Sequence, residues 1–261
     1  MDRQQNPPII QFTSADIAVG RTRIIRDLSL SFPQGEISVL LGPNGCGKTS
    51  LLQCLNGLSK LVSGSLTCRG RSLSDLSMRE RAREIAFLPQ VRSVIPSIPV
   101  RVLVEHGRFP YQGFARRPNR EDRRMVDEAM RSCGVISYAD QNVDTLSGGM
   151  RQRVFIAMVL AQATPILVLD EPTTYLDPGS QKEILDLAAS LRDQGKTVIM
   201  VLHDLAQAAR IADFLVVMSD ARRIVSCGPK EDVLADSSIE DVFGVSMHRV
   251  RIEGQSHYLF F

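Results

Sequence analysis

The chain has 261 residues, 44% hydrophobic and 23% charged, with a formal net charge of +2. This is the composition of an ordinary globular protein of one large or two small domains; the charge balance leaves no footprint of a nucleic-acid binder, and no apolar run approaches the roughly 18 residues that cross a bilayer. The five cysteines (46, 54, 68, 133 and 227) are odd in number, scattered and without a C-x-x-C pair, which argues against a disulfide framework or zinc site and for a reducing cytosol.

Residues 1–8 are polar, lack the apolar region of a secretory signal and read as a disordered lead-in. Alternation at Ile9, Gln11 and Thr13, then at Ile24, Ile25, Leu28, Leu30 and Phe32, predicts antiparallel strands over 9–32. The next elements are a buried strand over 37–41, a helix over 49–55 ending near Gly57, a short strand and turn over 64–70, and a strand over 85–90. From about 99 to 160 the pattern turns helical, with helices over 100–107 and 120–133 around an irregular basic piece at 108–118. Alternation then resumes: strand 166–169, helix 181–193, strand 197–202, helix 205–211, strand 214–218, and a small hairpin about Glu253-Gly254. Such alternation argues for a mainly parallel sheet covered on both faces, interrupted by a helical insertion.

The most informative stretch joins the strand at 37–41 to the helix after it. Gly42-Pro43-Asn44-Gly45-Cys46-Gly47-Lys48-Thr49 fits the phosphate-binding pattern G-x-x-x-x-G-K-[ST] in full. Glycines let the backbone curl with its N–H groups bare to a phosphate. Lys48 places a cation at the β and γ phosphates, and the Thr49 hydroxyl is a hard oxygen suited to Mg²⁺. A helix starting here points its positive end at the phosphates. Cys46, inside the loop, is expected to be shielded from alkylation by bound nucleotide.

A second candidate lies at the end of the strand at 166–169, where Asp170 and Glu171 follow an apolar run. Two adjacent acids can simply open a turn. Beside a phosphate loop they also suit a sheet's carboxyl edge, with Asp170 holding Mg²⁺ and Glu171 orienting or deprotonating a water. A third candidate is Leu146-Ser147-Gly148-Gly149-Met150. Ser147 can be a plain N-cap, or the glycines can leave a second anion-binding helix start. One nucleotide rarely needs two such sites in one chain, and a head-to-tail dimer sharing them resolves the excess.

Taken together and in order, these motifs resemble those of the ATP-binding subunits of ABC transporters over nearly the whole chain. Gly42–Thr49 matches Walker A, Gln90 the Q-loop glutamine, Leu146–Met150 the signature (with Met where Gln is usual), Ile166–Asp170 Walker B, Tyr175-Leu176-Asp177 the D-loop and His203 the switch histidine. The resemblance implies an α/β fold: a P-loop NTPase (RecA-like) core with a mainly parallel sheet, an antiparallel β subdomain and an inserted helical subdomain. It implies an ABC domain over 8–245 (core about 8–90 and 160–245, helical subdomain about 91–159) and a C-terminal tail over 246–261. It implies ATP and Mg²⁺ as cofactors. Glu171, His203, Lys48 and Gln90 are then the catalytic residues, and Thr49, Gln90 and Asp170 the metal ligands. The nucleotide contacts are Gly42, Pro43, Asn44, Gly45, Cys46, Gly47, Lys48, Thr49 and Ser50, with Ser147, Gly148, Gly149 and Asp177. Where the family stacks adenine on an aromatic, this chain has Val19.

Within the family the chain looks most like the ATPases of iron–siderophore, haem and cobalamin importers. The residues that carry this are Gly107-Arg108-Phe109-Pro110-Tyr111-Gln112, the run 139–149, Ile156-Ala157-Met158-Val159-Leu160-Ala161-Gln162 and Thr173-Thr174-Tyr175-Leu176-Asp177. Ferric-siderophore import is the nearest of the three. The alternatives are haem or cobalamin import and, further off, a soluble ABC ATPase of iron–sulfur assembly or chromosome maintenance. The resemblance implies a homodimer at the cytoplasmic face of the inner membrane and a polytopic permease docked near residues 90–114. It also implies, indirectly, a substrate-binding protein, and no nucleic acid.

Overall fold

The computed structural model describes residues 7–90, 97–112, 118–252 and 255–261. Strands β1 (Pro8–Val19), β2 (Thr22–Pro33) and β3 (Ile37–Leu41) lead into helix α1 (Lys48–Asn56), followed by β4 (Lys60–Cys68), β5 (Arg71–Ser72), α2 (Met78–Glu84) and β6 (Ile85–Leu88). Three helices come next: α3 (Val100–Glu105), α4 (Arg120–Ser132) and α5 (Gly148–Ala161). Alternation resumes with β7 (Ile166–Asp170), α6 (Pro178–Asp193), β8 (Thr197–Val201), α7 (Leu205–Ile211), β9 (Phe214–Met218) and β10 (Ile224–Pro229). Two short helices, α8 (Lys230–Val233) and α9 (Ser238–Phe243), precede the hairpin of β11 (Met247–Ile252) and β12 (Gln255–Phe260).

The central sheet runs β10-β9-β3-β8-β7-β6. All its strands are parallel except β10, which pairs antiparallel with β9 at the edge. Every residue of β3, β7 and β8 is buried, as expected for parallel strands covered on both faces. The strand period of two divides each strand between two cores. On β8, Val198 and Met200 join a core beneath α3–α7, whereas Ile199 and Val201 face the opposite one. That second core is closed by Leu51, Leu52 and Leu55 of α1 and by the antiparallel sheet β2-β1-β4-β5, which contributes Phe12, Ile17 and Phe32.

Several predicted boundaries shift for local physical reasons. The lead-in is shorter, because Pro8 already opens β1 and the Gln34 N–H donates to the Pro7 carbonyl at 3.1 Å; residues 1–6 lie outside the described residues. The helix predicted from 181 starts at Pro178, with Asp177 as N-cap and a proline at a position where no intrahelical donor is lost. The helix after the phosphate loop stops where expected, at Gly57 in the left-handed conformation (φ 84°). The C-terminal hairpin is longer than predicted and packs Met247, Tyr258 and Phe260 against the first core; its turn, Glu253-Gly254, lies outside the described residues.

One reading is corrected outright. Arg108 opens the stretch predicted to be a basic loop, but it ends a 3-10 turn and is 5% exposed. Its Nε donates to Asp122 at 3.0 Å, its Nη1 donates to the Ala161 carbonyl at 2.7 Å, and its guanidinium lies 4.0 Å from the centre of the Tyr111 ring. Its charge is spent inside the helical region and is not available to a partner. Residues 113–117 of that stretch lie outside the described residues.

Candidate nucleotide site

The loop between β3 and α1 needs glycine at fixed points. Gly42, Gly45 and Gly47 have φ of 154°, 79° and 105°. A Cβ on Gly42 would stand 2.6 Å from the Met218 backbone oxygen, so no other residue fits there. No side chain caps the first turn of α1, which leaves its N–H groups to an anion. Lys48 is 5% exposed and folds over the loop, donating from Nζ to the Gly42 carbonyl at 2.7 Å and to that of Pro43 at 2.9 Å. Cys46 is 1% exposed, so the fold itself covers its thiol. Ile24 and Ile25 border Gly47, which brings the start of β2 against the loop. The β1–β2 turn follows directly, with Val19 paired to Thr22 and 45% exposed at its tip.

Across from the loop, β7 delivers two acids. The Thr49 hydroxyl donates to Asp170 Oδ1 at 3.3 Å, joining the two predicted oxygen ligands. Asp170 is 1% exposed and its Oδ2 has no hydrogen-bond partner among the described residues. Burial pushes its carboxyl pKa above the ordinary value and the neighbouring Glu171 adds to the rise, against lowering by the Thr49 hydrogen bond and the charges of Lys48 and His203. An orphaned carboxylate oxygen in a dry setting, beside a threonine hydroxyl, is the donor set a hard divalent cation completes, so these residues fit Mg²⁺.

Glu171 lies in the left-handed region (φ 52°), as does Tyr175 (φ 64°). Each such non-glycine conformation costs about 1 kcal/mol or more and is retained where surroundings impose it. Here three donors converge on the Glu171 carboxylate. His203 Nε2 lies 2.5 Å from Oε1, Gln90 Nε2 donates to Oε2 at 2.5 Å, and the Thr174 hydroxyl donates to the same oxygen at 3.1 Å. The structure therefore brings together Lys48, Thr49, Gln90, Asp170, Glu171 and His203. Thr174 is not among the site residues expected from the sequence, where it figures only in the run 173–177 that carries the family resemblance.

The remaining predicted residues form a separate group. Ser147 caps α5, accepting from the Met150 N–H at 3.3 Å. Asp177 caps α6, accepting from the Ser180 N–H at 3.0 Å and from its hydroxyl at 2.6 Å, bonds that hold its carboxyl below the usual range. A Cβ on Gly149 would meet Ser180 Oγ at 2.4 Å, so the starts of α5 and α6 touch. Among the described residues no hydrogen bond or ion pair ties Ser147, Gly149 or Asp177 to the phosphate loop.

A family profile described as ABC transporter matches residues 25–174. The chain is 43% identical over 238 residues to the probable siderophore transport system ATP-binding protein YusV of Bacillus subtilis, covering 91% of this chain and 86% of that protein. It is 39% identical over 230 residues to the iron(3+)-hydroxamate import ATP-binding protein FhuC of the same organism, covering 88% and 85%. Among solved structures it superposes on cbiO1 of Clostridium perfringens, part of the ABC transporter complex cbiONQ, with a TM-score of 0.78, 27% identity and coverage of 90% and 93%.

Proposed function

The chain belongs to the ABC transporter family as an ATP-binding, ATP-hydrolysing subunit, and on that premise we propose that it powers import of ferric siderophores. Its ferric-chelate relatives support the cargo class. Among the described residues no helix is long and apolar enough to cross a membrane; in this reading a separate permease supplies the permeation path. In this reading two copies sit on the cytoplasmic face of the inner membrane against a polytopic permease, which takes cargo from an external binding protein.

The observation that carries the mechanism is the clamp on Glu171 beside the Thr49–Asp170 pair. The N–H groups of residues 44–50 and the Lys48 ammonium bind the phosphates, Lys48 exchanging the carbonyls of Gly42 and Pro43 for phosphate oxygens. Val19 packs against the adenine. Thr49, Asp170 and Gln90 would hold Mg²⁺, which when bound neutralises phosphate charge. Gln90 then gives up Glu171, and the freed carboxylate takes the proton of a water whose oxygen bonds to the γ-phosphorus as the β–γ bridge breaks. His203 turns from Glu171 to donate to the γ-phosphate. Ser147, Gly148 and Gly149 of the second copy close the site, and Asp177 lies along the same seam. ATP therefore joins two incomplete sites, and its hydrolysis lets them part.

The permease dock lies between the core and the helical region. Met78 and Phe109 are 82% and 59% exposed there, and Arg79 and Arg83 of α2 both donate to the Pro110 carbonyl, fastening the two regions.

The test is co-purification with the permease, reconstitution, and ATPase assays with binding protein loaded with ferric siderophores, haem or cobalamin. Stimulation by ferric siderophores is expected. Stimulation by haem or cobalamin alone would overturn the cargo, and purification with an iron–sulfur scaffold in place of a membrane protein would overturn the transport role.

A further inference from the structure

We propose that Gln181 and Gln207 are positioning residues for hydrolysis, linking the loop that carries His203 to the backbone leading into Asp177. The proposal rests on the reading that Glu171 activates the attacking water and His203 donates to the γ-phosphate.

Gln181 lies on the first turn of α6, and Gln207 on the first turn of α7; both are half-buried. Gln181 Nε2 donates to the carbonyls of Thr173 (3.3 Å) and Leu176 (3.1 Å). Gln207 Nε2 donates to Gln181 Oε1 at 2.8 Å, and the buried Thr173 hydroxyl donates to Gln207 Oε1 at 3.2 Å. The polarity of this chain admits one solution. Carbonyls only accept, so Gln181 must turn its amide nitrogen towards residues 173 and 176. Its oxygen then faces Gln207, whose nitrogen must donate, leaving an oxygen that accepts from the Thr173 hydroxyl. Reversing either amide would set oxygen against oxygen.

Both ends of the chain reach the candidate catalytic groups. Thr173 follows Glu171 by two residues. Gln207 is held through its own N–H by Asp204, the neighbour of His203, at 2.9 Å. Leu176 precedes Asp177, whose carbonyl accepts from the Gln181 N–H at 2.9 Å. Glu171, His203, Gln181 and Gln207 border one cavity of about 240 Å³, roomy enough for ordered water. A movement of His203 onto a phosphate therefore pulls α7, and the two amides carry the pull to residues 173–177.

The experiment measures kcat and KM for ATP in the wild type and in Gln181→Leu, Gln207→Leu, the double variant, Thr173→Val and Thr173→Ser. A fluorescent ATP analogue reads binding independently. Each leucine variant and Thr173→Val should lose about tenfold in kcat, the scale of one hydrogen bond acting in the transition state. KM and analogue affinity should stay within about twofold. Thr173→Ser, which keeps the hydroxyl, should stay near wild type. The double variant should be no slower than the slower single, since a chain is broken once. Gln181→Asn and Gln207→Asn, which keep an amide but shorten its reach, should reproduce the kcat loss in folded protein. Unchanged kcat in the single variants, or losses that multiply in the double, overturn the relay alone. A wild type that binds ATP without hydrolysing it overturns the catalytic reading and the relay with it.

Discussion

His203 Nε2 lies 2.5 Å from Glu171 Oε1, while Gln90 holds the other carboxylate oxygen at the same distance. The best-placed base in the site is thus bound on both sides before any water approaches. Each donor held there makes the Glu171 carboxylate a weaker proton acceptor. In the proposed mechanism hydrolysis is favoured by whatever draws these two donors away, Mg²⁺ for Gln90 and the γ-phosphate for His203.

Glu171→Gln should retain ATP binding, because Lys48, Thr49 and Asp170 are untouched, and should lower turnover by about 10²–10⁴-fold through loss of the base. Phosphate release and equilibrium ATP binding, measured on the same preparation, check this. Turnover at the wild-type rate would remove Glu171 from the role of base.

Asp170 gives a prediction in pH. Its folded pKa stands above the ordinary 3.8, with burial as the largest cause. The folded state therefore binds this proton more tightly than the unfolded chain. The burial penalty is complete above the folded pKa and fades as pH falls through it towards 3.8. Asp170→Asn carries no such penalty. Without nucleotide it should melt higher than wild type at about pH 7, with the gap narrowing towards about pH 4. Mg²⁺ with ATP should raise the wild-type melting temperature and scarcely move that of the variant. A constant gap across the pH range would show that the buried charge is not its source.

Much of this site can be read from the sequence because its demands are local. The phosphate loop is visible since φ values of 79–154° favour glycine at Gly42, Gly45 and Gly47, all within six residues of Lys48. The strands that carry the acids are visible because a parallel strand buried on both faces is apolar without interruption. What escapes the sequence is pairing at a distance. Arg108 reads as one basic residue among several until Asp122, 14 positions on, and the Ala161 carbonyl, 53 positions on, take up its donors. Gln181 and Gln207 are 26 positions apart and look like ordinary polar residues of two amphipathic helices. The conformation that lets Gln90 and His203 share Glu171 depends on β6, β7 and β8 lying side by side, an order fixed only by the folded sheet.

The Arg108–Asp122 pair should prove costly to break. Both side chains are about 95% buried, and Asp122 also accepts from the Asn119 N–H at 3.1 Å in the capping box of α4. Arg108→Ala leaves that carboxylate buried without its cation and should destabilise the protein by about 3–5 kcal/mol. Arg108→Met combined with Asp122→Asn removes both charges while keeping bulk and a cap, and should recover more than half of the loss. Urea denaturation of the three proteins decides it; a single variant within about 1 kcal/mol of wild type would show that water reaches Asp122.

Gly149 and Ser180 provide a compensating pair. A methyl group at Gly149 would stand 2.4 Å from Ser180 Oγ and 3.0 Å from its Cβ. Rotating the hydroxyl away relieves the first contact but breaks its 2.6 Å bond to Asp177, and the second contact remains. Gly149→Ala should therefore displace the Asp177 cap and slow ATP turnover by about tenfold or more, the scale of a lost charge-assisted hydrogen bond. Nucleotide binding at the distant phosphate loop should persist. Adding Ser180→Gly removes both obstructing atoms and should restore turnover several-fold, although the cap keeps only the bond from the residue 180 N–H. Steady-state kinetics of the single and double variants separate two causes. If the methyl group acts only by blocking a second copy of the chain, Ser180→Gly brings nothing back, and the contact between the starts of α5 and α6 has no part in turnover.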